Sequence, residues 1–569
     1  MSQAMIAFKD LPYARPELDA LKAEFGAELA ALSSAPGAAA AAGAVARLNA
    51  LRDRAESAMI LARARHTIDT ADPVYEAEND FFDEAEPVLE GLKTDYYRAL
   101  LASPYRPALE EDGGVQLFRL AELQLNTYKP EVQDDLQEEN RLGSEYVKLK
   151  AGAKIPFDGR ELNLAQIAPY FESPDRATRA RAKAAVSAFY AANDEAFGRI
   201  YHDLVGLRRR IAQKLGYPDF AALGYARLGR SDYDQAMVAS YRAQVLKEVV
   251  PVAHELRKRQ AARLGLASLK HYDEDLAFLS GNAAPKGDAA WIVAQAAAMY
   301  HEMSPETGEF FAHMNARGLM DLETRAGKAT GGYCDYLPAW EAPFIFSNFN
   351  GTAGDVDVLT HEAGHAFQSY RSRHFSYPEY RQPTLEACEI HSMSMEFIAW
   401  PWMESFFKED ADKYRFNHLA EALMFIPYGC AVDEFQHWAY ATPEAGPAER
   451  KAAWRRIERA YLPWRDYDDD EFLESGGFWY RQGHIFEDPF YYIDYTLAQV
   501  GAFEFWGRYR RDPARAWPAY LKLCSLGGSL PYTGLLKEAG LSNPFEPGTL
   551  KAVMAPIKAW LDGVDDRKL

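Results

Sequence analysis

The sequence predicts a mainly α-helical protein with one small β region. Three observations carry that expectation. Long stretches rich in Ala, Leu, Glu, Lys and Arg dominate the chain, and these residues lose least on entering a helix. Only residues 331–348 combine aromatic and β-branched residues with Gly and Pro punctuation, as strands do. No fixed-period repeat is evident, so a solenoid is not supported.

The elements follow in order. Residues 18–32 and 38–67 are the first strong helical stretches, with Pro36 and Gly37 as the loop that feeds the second. Residues 83–101, 134–150 and 176–216 continue the pattern. A composition shift at 266–288 contains Gly281, Pro285 and Gly287, which mark a loop, and residues 304–308 (Ser-Pro-Glu-Thr-Gly) mark a turn. Residues 331–338 and 342–348 read as strands, an ordinary hairpin or an edge able to pair with an extended peptide. Apolar Val356, Val358, Leu359, Ala366 and Phe367 point to a buried helix. Residues 384–400 form another helix, stopped by Pro401. A loose division near Tyr190 gives an N-terminal helical region, 1–190, and a second region, 191–569, that carries the chemistry.

Composition narrows the function. The 569 residues are 48% hydrophobic and 26% charged, ordinary globular content in a chain longer than one compact core, so two or three packed subregions are expected. A net charge of −20 argues against nucleic acid and against anionic membranes as partners. The N-terminus shows no basic segment followed by an apolar core, so no signal peptide is read. The longest apolar run, residues 423–432, is broken by Pro427 and is too short to span a bilayer. Cys334, Cys388, Cys430 and Cys524 are far apart and read as reduced thiols, which points to the cytoplasm.

His361-Glu362-Ala363-Gly364-His365 matches H-E-x-x-H. On a helix, residues four apart share a face, so both imidazoles can reach one metal ion. Glu362 is then placed beside that metal, where it can take a proton from the attacking water. A catalytic zinc site needs a third protein ligand. The pattern with a third His three turns on is excluded, because Gln368 and Arg371 stand where its Gly and His would be. The next helix offers Glu386, Glu389 and Glu396 on one stripe, with His391 and Cys388 as softer rivals. Spacing alone leaves these open.

Residues 348–365, followed by Glu389-x-x-Ser392-x-x-x-Glu396, resemble the thimet oligopeptidase and oligoendopeptidase F family of zinc peptidases. The resemblance implies Glu389 as the third ligand of one zinc ion, beside His361 and His365. It also implies Glu396 as a carboxylate that orients a ligand His through its other nitrogen. It extends to the aromatic stretch 478–495, where His484 and Tyr495 match residues that polarise the scissile carbonyl. Tyr491 and Tyr492 both lie near a further family Tyr, and the alignment does not choose between them. Pro489-Phe490-Tyr491 looks like the oligoendopeptidase branch.

The implied fold is a large helical, clam-like metallopeptidase with a small β-sheet beside the H-E-x-x-H helix and a deep substrate channel. The implied activity is zinc-dependent cleavage of internal bonds in short unstructured peptides. A metallocarboxypeptidase on a related scaffold is the nearest rival. A non-catalytic helical scaffold with a structural metal is the rival from another class, and it would need a fourth protein ligand such as His391 or Cys388.

Overall fold

The computed structural model describes residues 6–325, 327–329 and 331–569. The first residues of the stretch inspected for a signal peptide, 1–5, lie outside the described residues. The chain is mainly helical, with two small sheets. It divides into two compact units that interleave along the sequence. The first holds Met1–Leu125, Ala284–Ala411 and Gly501–Leu541, and the second holds Asn126–Ala283, Asp412–Val500 and Ser542–Leu569. The cut expected near residue 190 falls inside the second unit. The crossing after Ala283 coincides with the loop marked by Gly281, Pro285 and Gly287; that after Ala411 falls at the first residue of the helix Ala411–Ala441, and that after Val500 falls inside the helix Tyr492–Arg511.

The first unit opens with α1 (Leu18–Ser33), α2 (Ala38–Ile68) and α3 (Pro73–Ala102). α3 begins ahead of the expected residue 83 because Asp72 accepts from the Val74 amide and Pro73 takes the first helical position. Those are start signals that outweigh the sparse apolar pattern of the first turns. A sheet of three strands follows, β1 (Met320–Glu323), β2 (Tyr333–Leu337) and β3 (Ala342–Phe349), in the order β1-β3-β2. β2 and β3 form an antiparallel hairpin, one of the two readings the sequence offered, with Cys334 opposite Ile345. β1 pairs parallel with β3 and was not foreseen, since Met-Asp-Leu-Glu shows no strand pattern of its own. β3 is almost wholly buried and underlies α4 (Gly354–Ser372), which packs on β2 and β3 and against α5 (Leu385–Ile398).

The loop 373–384 joins α4 to α5 and is tied to the N-terminal helices. Arg52 pairs with Glu379 at 2.6 Å, and the Tyr97 hydroxyl donates to the same carboxylate at 2.7 Å. Arg381 grips Asp53 through two hydrogen bonds of 2.6 and 2.8 Å. The Tyr377 hydroxyl donates to Asp112 at 2.8 Å, and the Leu117 amide donates to the Tyr380 hydroxyl at 2.8 Å. Tyr377 and Tyr380 also belong to the apolar core built by Phe25, Leu48 and Tyr96.

In the second unit the stretch 176–216 forms two helices, Arg176–Ala192 and Asp194–Leu215, instead of the single one expected. The break is Asn193, whose side-chain amide bonds back to the Phe189 carbonyl at 2.8 Å and so competes with the helix. The helix Ala411–Ala441 runs straight through Pro427, so that Pro does not end it. Gly429 on this helix has no side chain where a Cβ would sit 2.3 Å from Thr496 Cγ2. The start of the helix Tyr492–Arg511 is further fixed by the buried Arg230–Asp494 ion pair and by the Tyr241 hydroxyl, which donates to the Thr496 carbonyl at 3.0 Å. Among the described residues no helix is long and apolar enough to cross a membrane.

Candidate active site

α4 presents His361 and His365 on one face, one helical turn apart, with ring centroids 5.0 Å apart. α5 presents Glu389 to them. Its Oε2 lies 3.2 Å from His361 Nε2 and 3.5 Å from His365 Nε2, and one donor atom from each of the three residues lies within 4.8 Å of the others. Zinc bonds of about 2.0–2.2 Å at tetrahedral angles place neighbouring donor atoms about 3.4 Å apart. The two separations to Glu389 match that spacing and the donor types are those zinc takes, so the three side chains fit such an ion.

The surroundings hold this set in place. The Ser392 hydroxyl donates to Glu389 Oε2 at 2.9 Å. His361 turns its other nitrogen, Nδ1, to Glu396 Oε1 at 2.7 Å, which orients the ring and directs Nε2 toward the centre. Burial alone would push the His361 pKa down, yet carboxylates at both its nitrogens hold it well above the usual imidazole range. Burial would push Glu389 up, and the two imidazoles hold it well below the usual carboxylate range. Glu386 instead accepts from the Thr384 hydroxyl at 3.0 Å and is not part of the donor set.

Glu362 is buried beside the donors without being one of them. Burial raises its pKa, against the pull of His361 and His365. Gly332, next to β2, lies beside it: a Cβ there would be in ordinary contact, 3.9 Å from Glu362 Oε1. A carboxylate of raised proton affinity is suited to accept a proton and give it back.

Neither rival for a fourth ligand joins the group. Cys388 turns its thiol to the Pro383 carbonyl at 3.2 Å, and the His391 ring is fully buried, where burial and the neighbouring His365 push its pKa down to about 4. Among the described residues the donor set is His361, His365 and Glu389 alone. A set of three leaves a coordination position for water or substrate.

Gly364, inside the motif, is where the two helices touch. A Cβ there would sit 2.6 Å from Ser392 Cα and 2.7 Å from the His391 carbonyl oxygen, both backbone atoms. That carbonyl also accepts from the Tyr520 hydroxyl at 2.8 Å. The sequence reading passed over Gly364, although a glycine inside a helix costs about 1 kcal/mol and so signals a close approach. Gly364→Ala is expected to lower stability by about 1–3 kcal/mol through this overpacking and to reduce metal content, read by denaturant unfolding and by elemental analysis.

The second unit brings the other candidates together. His484, on the short helix Gly483–Phe486, has ring centroids 5.6 Å from Tyr491, 4.9 Å from Tyr492 and 6.0 Å from Tyr495. Tyr491 and Tyr495 lie 4.9 Å apart, and Tyr492 packs on Tyr428 at 5.9 Å. All four residues are partly exposed, so this geometry does not choose between Tyr491 and Tyr492. Burial lowers the His484 pKa, which favours the neutral ring. Gln482 was missed by the sequence reading. Its Nε2 is 2.8 Å from His484 Nδ1, and its Oε1 accepts from the Tyr428 hydroxyl at 2.9 Å. With the amide nitrogen donating, Nδ1 accepts and the ring proton sits on Nε2. No spacing rule marks such a residue.

The model of the peptidase M3 N-terminal domain matches residues 8–128, and that of peptidase family M3 matches residues 291–555. A solved structure described as an oligoendopeptidase F is 57% identical, over 99% of this chain and 100% of that one, with a TM-score of 0.93. The chain belongs to peptidase family M3. It is therefore a metallopeptidase, and the family implies a metal at the site. PZ peptidase A, solved with an inhibitor, is similar at 55% identity over 98% of this chain and 100% of that one, with a TM-score of 0.93. Oligopeptidase PepF of Bacillus subtilis (strain 168) is 22% identical over 272 residues, which is 46% of this chain and 39% of that relative. The match thus spans well under half the length of that curated M3 relative.

Proposed function

We propose that this M3 peptidase is a zinc-dependent endopeptidase that hydrolyses internal peptide bonds of short, unstructured oligopeptides. His361, His365 and Glu389 hold a single zinc ion, and Glu362 is the general base. The observation that carries this reading is the placement of three donor atoms within 4.8 Å of one another, with a buried, uncommitted carboxylate alongside.

When bound, zinc supplies Lewis acidity, which lowers the pKa of a water toward about 7 and polarises a carbonyl. Glu362 accepts the proton of the attacking water and later delivers it to the leaving amine. Glu396 keeps the His361 ring turned, and Ser392 keeps the Glu389 carboxylate turned. His484 and Tyr495 donate to the oxygen on which negative charge develops, with Tyr491 or Tyr492 as a third donor. Their clustering and the donor chemistry of neutral imidazole and phenol support that role. The edge strand β2 supports main-chain pairing with an extended substrate. The reading takes the cytoplasm as the setting and peptides as the partners.

The deciding experiment is digestion of a peptide blocked at both ends, with metal analysis of the same preparation. Internal cleavage that is lost on chelation and restored by zinc supports the proposal. Cleavage confined to peptides with a free terminal carboxylate makes the protein a carboxypeptidase, and metal without hydrolysis makes it a scaffold. Tyr495→Phe is expected to reduce turnover about a hundredfold or more while zinc content stays level. An unaffected rate returns Tyr495 to a packing role.

A further inference from the structure

The first unit contains a second cavity, unconnected with the donor set, between α1, α2, α3 and the loop 373–384. It measures about 250 Å³. Leu21, Phe25, Leu51, Met59 and Leu89 give it an apolar wall, and Pro378 and Glu379 close it on the loop side. Apolar walls with a few polar groups are the usual lining of a small-molecule site, and this space, a little under the usual range of about 300–1,000 Å³, suits a small ligand.

The charges around it do not balance. Three cations stand near Glu56, and each already has a carboxylate. Arg52 pairs with Glu379 at 2.6 Å, Arg381 with Asp53 at 2.6 Å, and Lys93 with Glu90 at 3.3 Å. Arg52 is further committed to the Tyr96 ring, 4.9 Å away. Glu56 lines the cavity, and no hydrogen bond or ion pair among the described residues uses its carboxylate. It is one negative charge more than the cluster can neutralise, set against an apolar wall. A partly buried carboxylate in that position is costly unless a cation or a proton meets it. Burial pushes its pKa up, against Arg52, Lys93 and Arg381, which pull it down, while Asp53 adds to the rise.

We propose that this cavity binds a small organic monocation, a primary amine carrying an apolar body, whose ammonium group pairs with Glu56. The apolar part lies against Phe25, Met59 and Leu89, and the occupant abuts Pro378 and Glu379 on the loop that joins the two ligand helices. The inference does not depend on the proposed reaction.

The test is calorimetric titration of the full-length protein with 2-phenylethylamine, compared with its neutral analogue 2-phenylethanol and with phenylacetate. The amine is expected to bind in preference to both. Glu56→Gln, nearly isosteric, should weaken the amine about tenfold or more and leave the alcohol unchanged. Ala55→Leu, which fills the cavity from a buried position on its wall, should remove amine binding; thermal unfolding verifies that each variant is folded. Amine binding equal in the wild type and both variants would place the ligand elsewhere and overturn the proposal. So would a preference for the alcohol or the acid, or no heat of binding at millimolar amine.

Discussion

Glu362→Gln is expected to leave the metal in place and to reduce turnover by at least about a hundredfold, the usual worth of a positioned acid–base group. The substitution keeps the volume and removes the proton acceptor. None of the three donor atoms belongs to Glu362, so metal content should match the wild type. Burial and a raised proton affinity suit this carboxylate to the role. Asp335 is nearby, and burial raises its pKa too, with the Glu362 charge contributing to that rise. Single-turnover kinetics on metal-loaded protein, with elemental analysis of the same sample, would check the expectation. Near-normal turnover would remove Glu362 from the base role.

Glu389→Ala is expected to lose the metal itself. Outer partners of metal ligands typically contribute tenfold to a hundredfold in affinity, and removal of a ligand should exceed that range. It leaves the half-buried pair His361 and His365 without the carboxylate that both now approach within 3.5 Å. Glu396→Gln is the informative companion, because Glu396 touches His361 only through Nδ1 and should cost affinity within that lower range. Zinc stoichiometry under a graded chelator reads both. Full occupancy in Glu389→Ala would move the third ligand to another side chain.

Much of this was legible in the sequence because it is local. Two histidines four apart on a helix, and a carboxylate on the next helix, are periodicities of the backbone; α4 forms where the flanking apolar residues place a helix, and α5 falls within two residues of its expected ends, 384–400. The pairing of β2 with β3 follows from residue types and the short turn between them. What escaped depends on distant contacts. β1 exists because β3 offers it an edge, and its own residues do not demand it. Gly364 matters through His391 and Ser392, and Gln482 through Tyr428 and His484, which are relations between separate helices. Interleaved units escape a scan of composition, since the crossing after Val500 falls inside one helix and changes nothing in the local pattern.

The ties on the loop 373–384 bear on how the metal ligands came to be a single device. Two family models divide this chain between residues 8–128 and 291–555, as though an accessory piece preceded a catalytic one. Yet Arg52, Asp53, Tyr97, Asp112 and Leu117 anchor the link that joins the histidine helix to the glutamate helix. The ligand pair of helices is for that reason not a portable cassette: grafted into another scaffold without its N-terminal struts, it would keep every chemical group and lose the brace that sets their spacing.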